Sequence, residues 1–119
     1  MSGPQGDKAV SQFHYIDIDQ AKEHLDAGTA VFLDIRDEQA RQQGHIEGSI
    51  HLTDENAESF LTSSEKKHPV VVYCYHGNSS QMAAQYLVEH GFAEVYSMDG
   101  GFEGWACRHP FRTGPTATE

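Results

Sequence analysis

From Val70 to Cys74 the chain runs Val-Val-Val-Tyr-Cys behind Pro69, and no other stretch limits its fold as tightly. A strand with water on one side alternates apolar and polar residues, whereas a continuous run rich in β-branched residues is buried on both faces, as in the middle of a parallel sheet. Parallel neighbours need crossover connections, and the surrounding sequence supplies helical ones. Phe13 to Ile16 reads as a strand. Asp17 and Gln20 then form a capping-box start for a helix that carries Ile18, Ala21 and Leu25 on one face and stops at Gly28. Val31 to Leu33 is a second strand without polar alternation, and a helix from Asp37 to Gln43 ends at Gly44. Ile50 to Leu52 is extended, and Asp54 to Leu61 is a weaker helix. After Cys74, Ser79 or Ser80 caps a helix reaching His90, with Ala83, Ala84, Leu87 and Val88 apolar and Gly91 as the stop. Val95 to Ser97 is a strand, and Asp99-Gly100-Gly101 turns into a last helix with Phe102, Trp105 and Ala106 on one side. The expected fold is α/β, a central, mostly parallel five-stranded sheet with helices on both faces.

A chain of 119 residues suits one domain, with its body at 12–107 and loosely ordered ends at 1–11 and 108–119. With 8 Lys and Arg against 18 Asp and Glu, the formal charge is −10, which excludes an electrostatic footprint for nucleic acid or an anionic membrane. Residues 1–60 hold 4 basic and 12 acidic groups, residues 61–119 hold 4 and 6. No Lys or Arg occurs between Lys67 and Arg108, so an anion bound there must be held by amides, hydroxyls or a protonated His. Met1 to Val10 carries no apolar core of signal-peptide length and no run is long enough to span a bilayer, so a cytoplasmic location is expected. Cys74 and Cys107 are both expected as thiols.

Ligands of open α/β sheets bind beyond the carboxyl ends of the strands, where Cys74 stands. The segment Cys74-Tyr75-His76-Gly77-Asn78-Ser79-Ser80 is short, and Gly77 and Asn78 tolerate positive φ, so the loop can curl its amides inward as an anion nest. The next helix adds its own unpaired amides and partial positive charge. Both favour a thiolate, whereas a free cysteine titrates near about 8.5. The plainer alternative is a small buried hydrophobe at a strand end.

Three segments together resemble the signature regions of rhodanese domains, in the same order. They are Val31-Phe32-Leu33-Asp34-Ile35-Arg36 through Gly44-His45-Ile46-Glu47-Gly48-Ser49, the loop from Cys74 to Ser80, and Asp99-Gly100-Gly101-Phe102-Glu103-Gly104-Trp105. The chain is most similar to the small single-domain bacterial thiosulfate sulfurtransferases of the GlpE type. That resemblance implies a persulfide mechanism with Cys74 as nucleophile. It also implies an anionic donor cradled by the amides of Tyr75, His76, Gly77, Asn78, Ser79 and Ser80. It implies no cofactor; the partners would be thiosulfate as donor and cyanide, a dithiol or thioredoxin as acceptor. Many relatives have proline where Glu47 stands, and some carry Arg or Lys in the loop.

Other features are weighed the same way. Asp34 and Arg36 read as an ion pair fixing the strand-to-helix turn rather than as catalytic groups. His76 lies inside the loop and, when protonated, could donate to an anion. His45 and His51 read as structural. Trp105 with Phe102 is a core face before it is a wall of the site. Neither His-Glu-x-x-His nor Cys-x-x-Cys spacing occurs, so no metal is expected. A cysteine phosphatase needs Arg at the sixth position after its cysteine, where this chain has Ser80. A binding module without chemistry remains the rival from another class.

Overall fold

The computed structural model describes residues 12–114. Its strands are β1 (His14–Ile16), β2 (Val31–Asp34), β3 (Ile50–His51), β4 (Val70–Tyr73) and β5 (Val95–Met98). Between and after them come α1 (Ile18–Ala27), α2 (Glu38–Gln43), α3 (Ala57–Ser63), α4 (Ser79–Glu89) and α5 (Gly101–Arg108). The sheet order is β1-β5-β4-β2-β3 and every pairing is parallel. The run that began the sequence argument is therefore the middle strand, and all four of its residues are buried.

Alternation along β4 divides the core in two. Val71 and Tyr73 join Ile16, Ile18, Ala21, Phe32, Met98, Phe102 and Trp105 beneath α1 and α5. Val70 and Val72 join Leu33, Ala84, Leu87, Val88, Phe92 and Val95 beneath α4, with Phe60 and Leu61 of α3 against them. Helices thus cover both faces, which is why β2 and β4 need no polar alternation.

The local signals hold where a side chain serves its own helix end. Asp17 and Gln20 make a reciprocal capping box, with the Gln20 amide donating to Asp17 Oδ1 at 2.7 Å, and Gly28 closes α1 at φ 69°. Two starts differ. The helix expected from Asp54 begins at Ala57, because Asn56 turns back, accepting from Thr53 N at 2.7 Å and donating to His51 O at 2.7 Å. Ser79 and Ser80 do not cap α4 but lie in its first turn; the cap position is Asn78, which makes no side-chain cap bond.

The looseness expected of residues 1–11 and 115–119 lies outside the described residues. Residues 109–114 fold back on the body. His45 and Arg112 exchange backbone hydrogen bonds at 2.8 Å each, Gly114 N donates to Gln42 O, and the Trp105 indole donates to Pro110 O at 3.0 Å. Phe111 meets Phe102 edge to face. Among the described residues no helix is long and apolar enough to cross a membrane.

Candidate active site

Cys74 follows the last residue of the central strand, with 6% of its surface exposed. Its position continues the alternation of Val70 and Val72, so its sulfur faces α4. Sγ accepts the Gly77 amide at 3.1 Å and the Ser80 amide at 3.3 Å, and the Ser80 hydroxyl lies 3.5 Å away. Asn78 leaves α4 without a side-chain cap, and the sulfur fills that role by accepting from the second residue of the helix. Burial alone pushes the thiol up. The Ser80 hydroxyl and the amides of Ser80, Gly77 and His76 outweigh it, and the Cys74 thiol lies below its ordinary value. The main causes of that lowering include no cationic side chain. Peptide dipoles and one hydroxyl favour the anion, in keeping with the stretch without Lys or Arg.

Of the six loop amides expected to cradle an anionic donor, those of Gly77 and Ser80 hydrogen-bond to Sγ and that of His76 adds a smaller contribution. Those of Tyr75, Asn78 and Ser79 make no such bond to Sγ. Gly77 sits at φ 102°, and a Cβ there would lie 3.1 Å from Gly100 N, so the curl of the loop needs glycine. The Gln81 side chain holds the rim by donating to Gly77 O at 3.0 Å.

The floor of the loop is carried by α5. Phe102 N donates to Cys74 O at 2.8 Å and Glu103 N to Tyr75 O at 3.0 Å. This close approach depends on Gly101, at φ 59°, where a Cβ would land on the Tyr75 carbonyl and 2.7 Å from Cys74 O. Left-handed backbone alone costs a non-glycine residue roughly 1–2 kcal/mol, before the collision is counted. Gly101→Ala is expected to lower stability by more than about 2 kcal/mol in a urea titration. It should also reduce the reactivity of Cys74 towards iodoacetamide, because the loop must move to admit the methyl group.

The residues flanking the loop hold the ends of the strands. Arg36 grips Asp34 through Nε at 3.0 Å and Nη2 at 2.8 Å, and also donates to Gly44 O at 2.6 Å. The ion pair expected from sequence is there, enlarged by Arg41 and Tyr73, whose phenol donates to Asp34 Oδ2 at 2.9 Å. His45 Nδ1 lies 2.9 Å from Arg41 O, and His51 Nε2 bonds to Arg36 O, both contacts to backbone rather than to the loop. His76 is exposed and its Nδ1 lies 2.8 Å from Glu103 on α5. Trp105 is fully buried and Phe102 nearly so, and both belong to the core. Cys107 is an exposed free thiol. Glu47 pairs with Arg112 at 2.7 Å on the surface. Ser97, Glu103, Gln81 and Gly101 were not among the expected site residues. Only Ser97 carried a signal, a polar residue inside the otherwise buried strand Val95–Met98.

An open groove of about 1440 Å³ lies between α2, α3 and α4 and does not include Cys74. The sulfur lies inside the curl of the loop, outside that groove.

The Rhodanese-like domain pattern matches residues 17–107, and the chain belongs to that family. The family is a sulfurtransferase superfamily. Among solved structures, a rhodanese-related protein from Thermoplasma volcanium is 24% identical with a TM-score of 0.72, over 84% of this chain and 98% of that one. The Rhodanese-like domain of an Anabaena sp. protein is 25% identical with a TM-score of 0.73, over 88% and 86%. A Rhodopseudomonas palustris protein described as a possible tyrosine phosphatase is 24% identical with a TM-score of 0.72, over 84% and 85%.

Proposed function

We propose that the chain is a thiosulfate sulfurtransferase of the GlpE type, with Cys74 as its sulfur carrier. The observation that carries this reading is the sulfur of Cys74 accepting the Gly77 and Ser80 amides at 3.1 and 3.3 Å, with no ion pair to Cys74 among the described residues. The thiolate attacks the outer sulfur of thiosulfate. The bond between the two donor sulfurs breaks, and sulfite leaves with its electron pair. Cys74 then holds the outer sulfur as a persulfide anion, within reach of the same inward-facing amides. Cyanide or the thiolate of a dithiol attacks that outer sulfur, leaving as thiocyanate or a persulfide and restoring Cys74. The amides of Tyr75, Asn78 and Ser79, which make no bond to Sγ, are free to meet the donor's sulfonate oxygens.

Phosphate-ester hydrolysis fits the site less well. The position from which a guanidinium would clamp a phosphate bidentately holds Ser80, fully buried and turned to the sulfur. The test is the intact mass of the protein after exposure to thiosulfate. A gain of about 32 daltons on Cys74, removed by cyanide or dithiothreitol, is expected. An unmodified protein would instead favour a binding module that keeps the fold without the chemistry.

A further inference from the structure

Ser97 lies on β5, paired to Tyr15 on one side and Val72 on the other, and has no exposed surface. Its hydroxyl lies 2.8 Å from that of Ser80, also fully buried, which in turn lies 3.5 Å from Cys74 Sγ. Three groups thus stand in line from the middle of the sheet to the nucleophile, joined by two contacts. We infer that Ser97 is a positioning residue for the nucleophile: its hydroxyl donates to Ser80 Oγ and so turns the Ser80 proton onto the Cys74 sulfur.

A hydroxyl has one proton to give. With the sulfur ionised, the line holds two protons for two contacts, and one arrangement uses both: Ser97 donates to Ser80, and Ser80 donates to the sulfur. With the sulfur protonated there are three protons for the same two contacts. One donor is then left over in a buried place, which is unfavourable. Among the described residues the Ser97 hydroxyl makes no other hydrogen bond, so its proton has no competing use. Were Ser97 absent, Ser80 Oγ would lose the donor that polarises it, and its proton would no longer be committed to the sulfur.

Among the described residues, no charged group around the loop bonds to the sulfur. Tyr73 of β4 gives its phenol proton to Asp34, His76 meets Glu103 of α5, and Tyr96 of β5 donates to Glu94. Asp99 lies in the turn from β5 to α5 and makes no bond to the sulfur. The first turns of α4, from Ser79 to Gln85, contain no ionisable side chain.

The inference rests on Cys74 acting as a thiolate, as the proposed function requires, and its test does not use sulfur transfer. In a Cys107→Ser background, the pH dependence of iodoacetamide alkylation at Cys74 is followed by mass. Ser97→Ala is expected to move the midpoint up by about half to one pH unit, the worth of one ordinary hydrogen bond. Ser80→Ala is expected to move it up as well. Adding Ser97→Ala to Ser80→Ala should move it no further, because Ser97 acts only through Ser80. No shift in the first variant, or an equal shift in both backgrounds, overturns the relay. If the cycle behaves as expected while thiosulfate leaves no mass on Cys74, the relay stands and the transfer reading falls.

Discussion

Cys74→Ser is expected to yield a folded protein that carries no persulfide and transfers sulfur more than about a thousandfold more slowly than the parent. Serine keeps an acceptor where the Gly77 and Ser80 amides point, so α4 retains its cap and the loop its curl. Stability in urea should change by no more than about 1 kcal/mol. What is lost is ionisation. The surroundings that lower a thiol by hydrogen bonding act on a hydroxyl that titrates far above any working pH, so no anion is ready to attack. Turnover near the parent's in a folded Cys74→Ser protein would move the chemistry to another residue.

The second large effect is one of stability. Asp34 has no exposed surface and accepts five hydrogen bonds, from Arg36 N, Nε and Nη2, from Arg41 Nη1 and from the Tyr73 phenol. Asp34→Ala would remove the carboxylate from two guanidiniums whose side chains are 6% and 1% exposed. Breaking a buried pair in this way costs about 3–5 kcal/mol, a large part of the roughly 5–15 that hold a domain of this size together. Burial pushes the Asp34 carboxyl up, but the hydrogen bonds and charge of Arg36 and the Tyr73 bond more than reverse it, and it lies below its ordinary value. A lowered carboxyl contributes stability that is complete above its unfolded value, about 3.9, and is lost as pH falls through the folded one. Urea midpoints should therefore drop below about pH 4 in the parent, and Asp34→Asn should flatten that acid limb. An unchanged acid limb in Asp34→Asn would assign the pH dependence to other carboxylates.

What could be read from the chain was what its neighbours in sequence decide. The apolar run ending at Cys74 placed the middle strand, and Asp17 with Gln20 placed the start of α1, because partners three residues apart are visible in a string of letters. Ser79 and Ser80 looked like caps for the same reason, and failed because Ser80 answers to Cys74 and to Ser97, 17 residues further on. Asn56 failed similarly, with its amide bound back to His51. The Asp34 cluster was half legible. Arg36 stands two residues away, but Tyr73 is separated by 39 and comes alongside only when β2 and β4 pair in register. At the site, Cys74 and its loop are visible in the sequence as a strand end followed by turn-forming residues. The floor that α5 provides through Gly101 is not, since a glycine chosen for close approach to a distant carbonyl looks like any glycine in a turn.

The recess around Cys74 is braced from below by the amides of Phe102 and Glu103 and from the rim by Gln81. A donor of a few atoms offers at most roughly 1.5 kcal/mol per atom in contact, too little to draw a lid across itself and still bind. A stiff socket meets that limit by standing ready before the donor arrives. The same stiffness governs the second half of the cycle: a sulfur set this deep cannot travel far to meet a bulky acceptor. On the proposed sulfurtransferase reading, a protein acceptor would have to bring its thiol on a narrow, protruding segment, while cyanide or a small dithiol would enter whole.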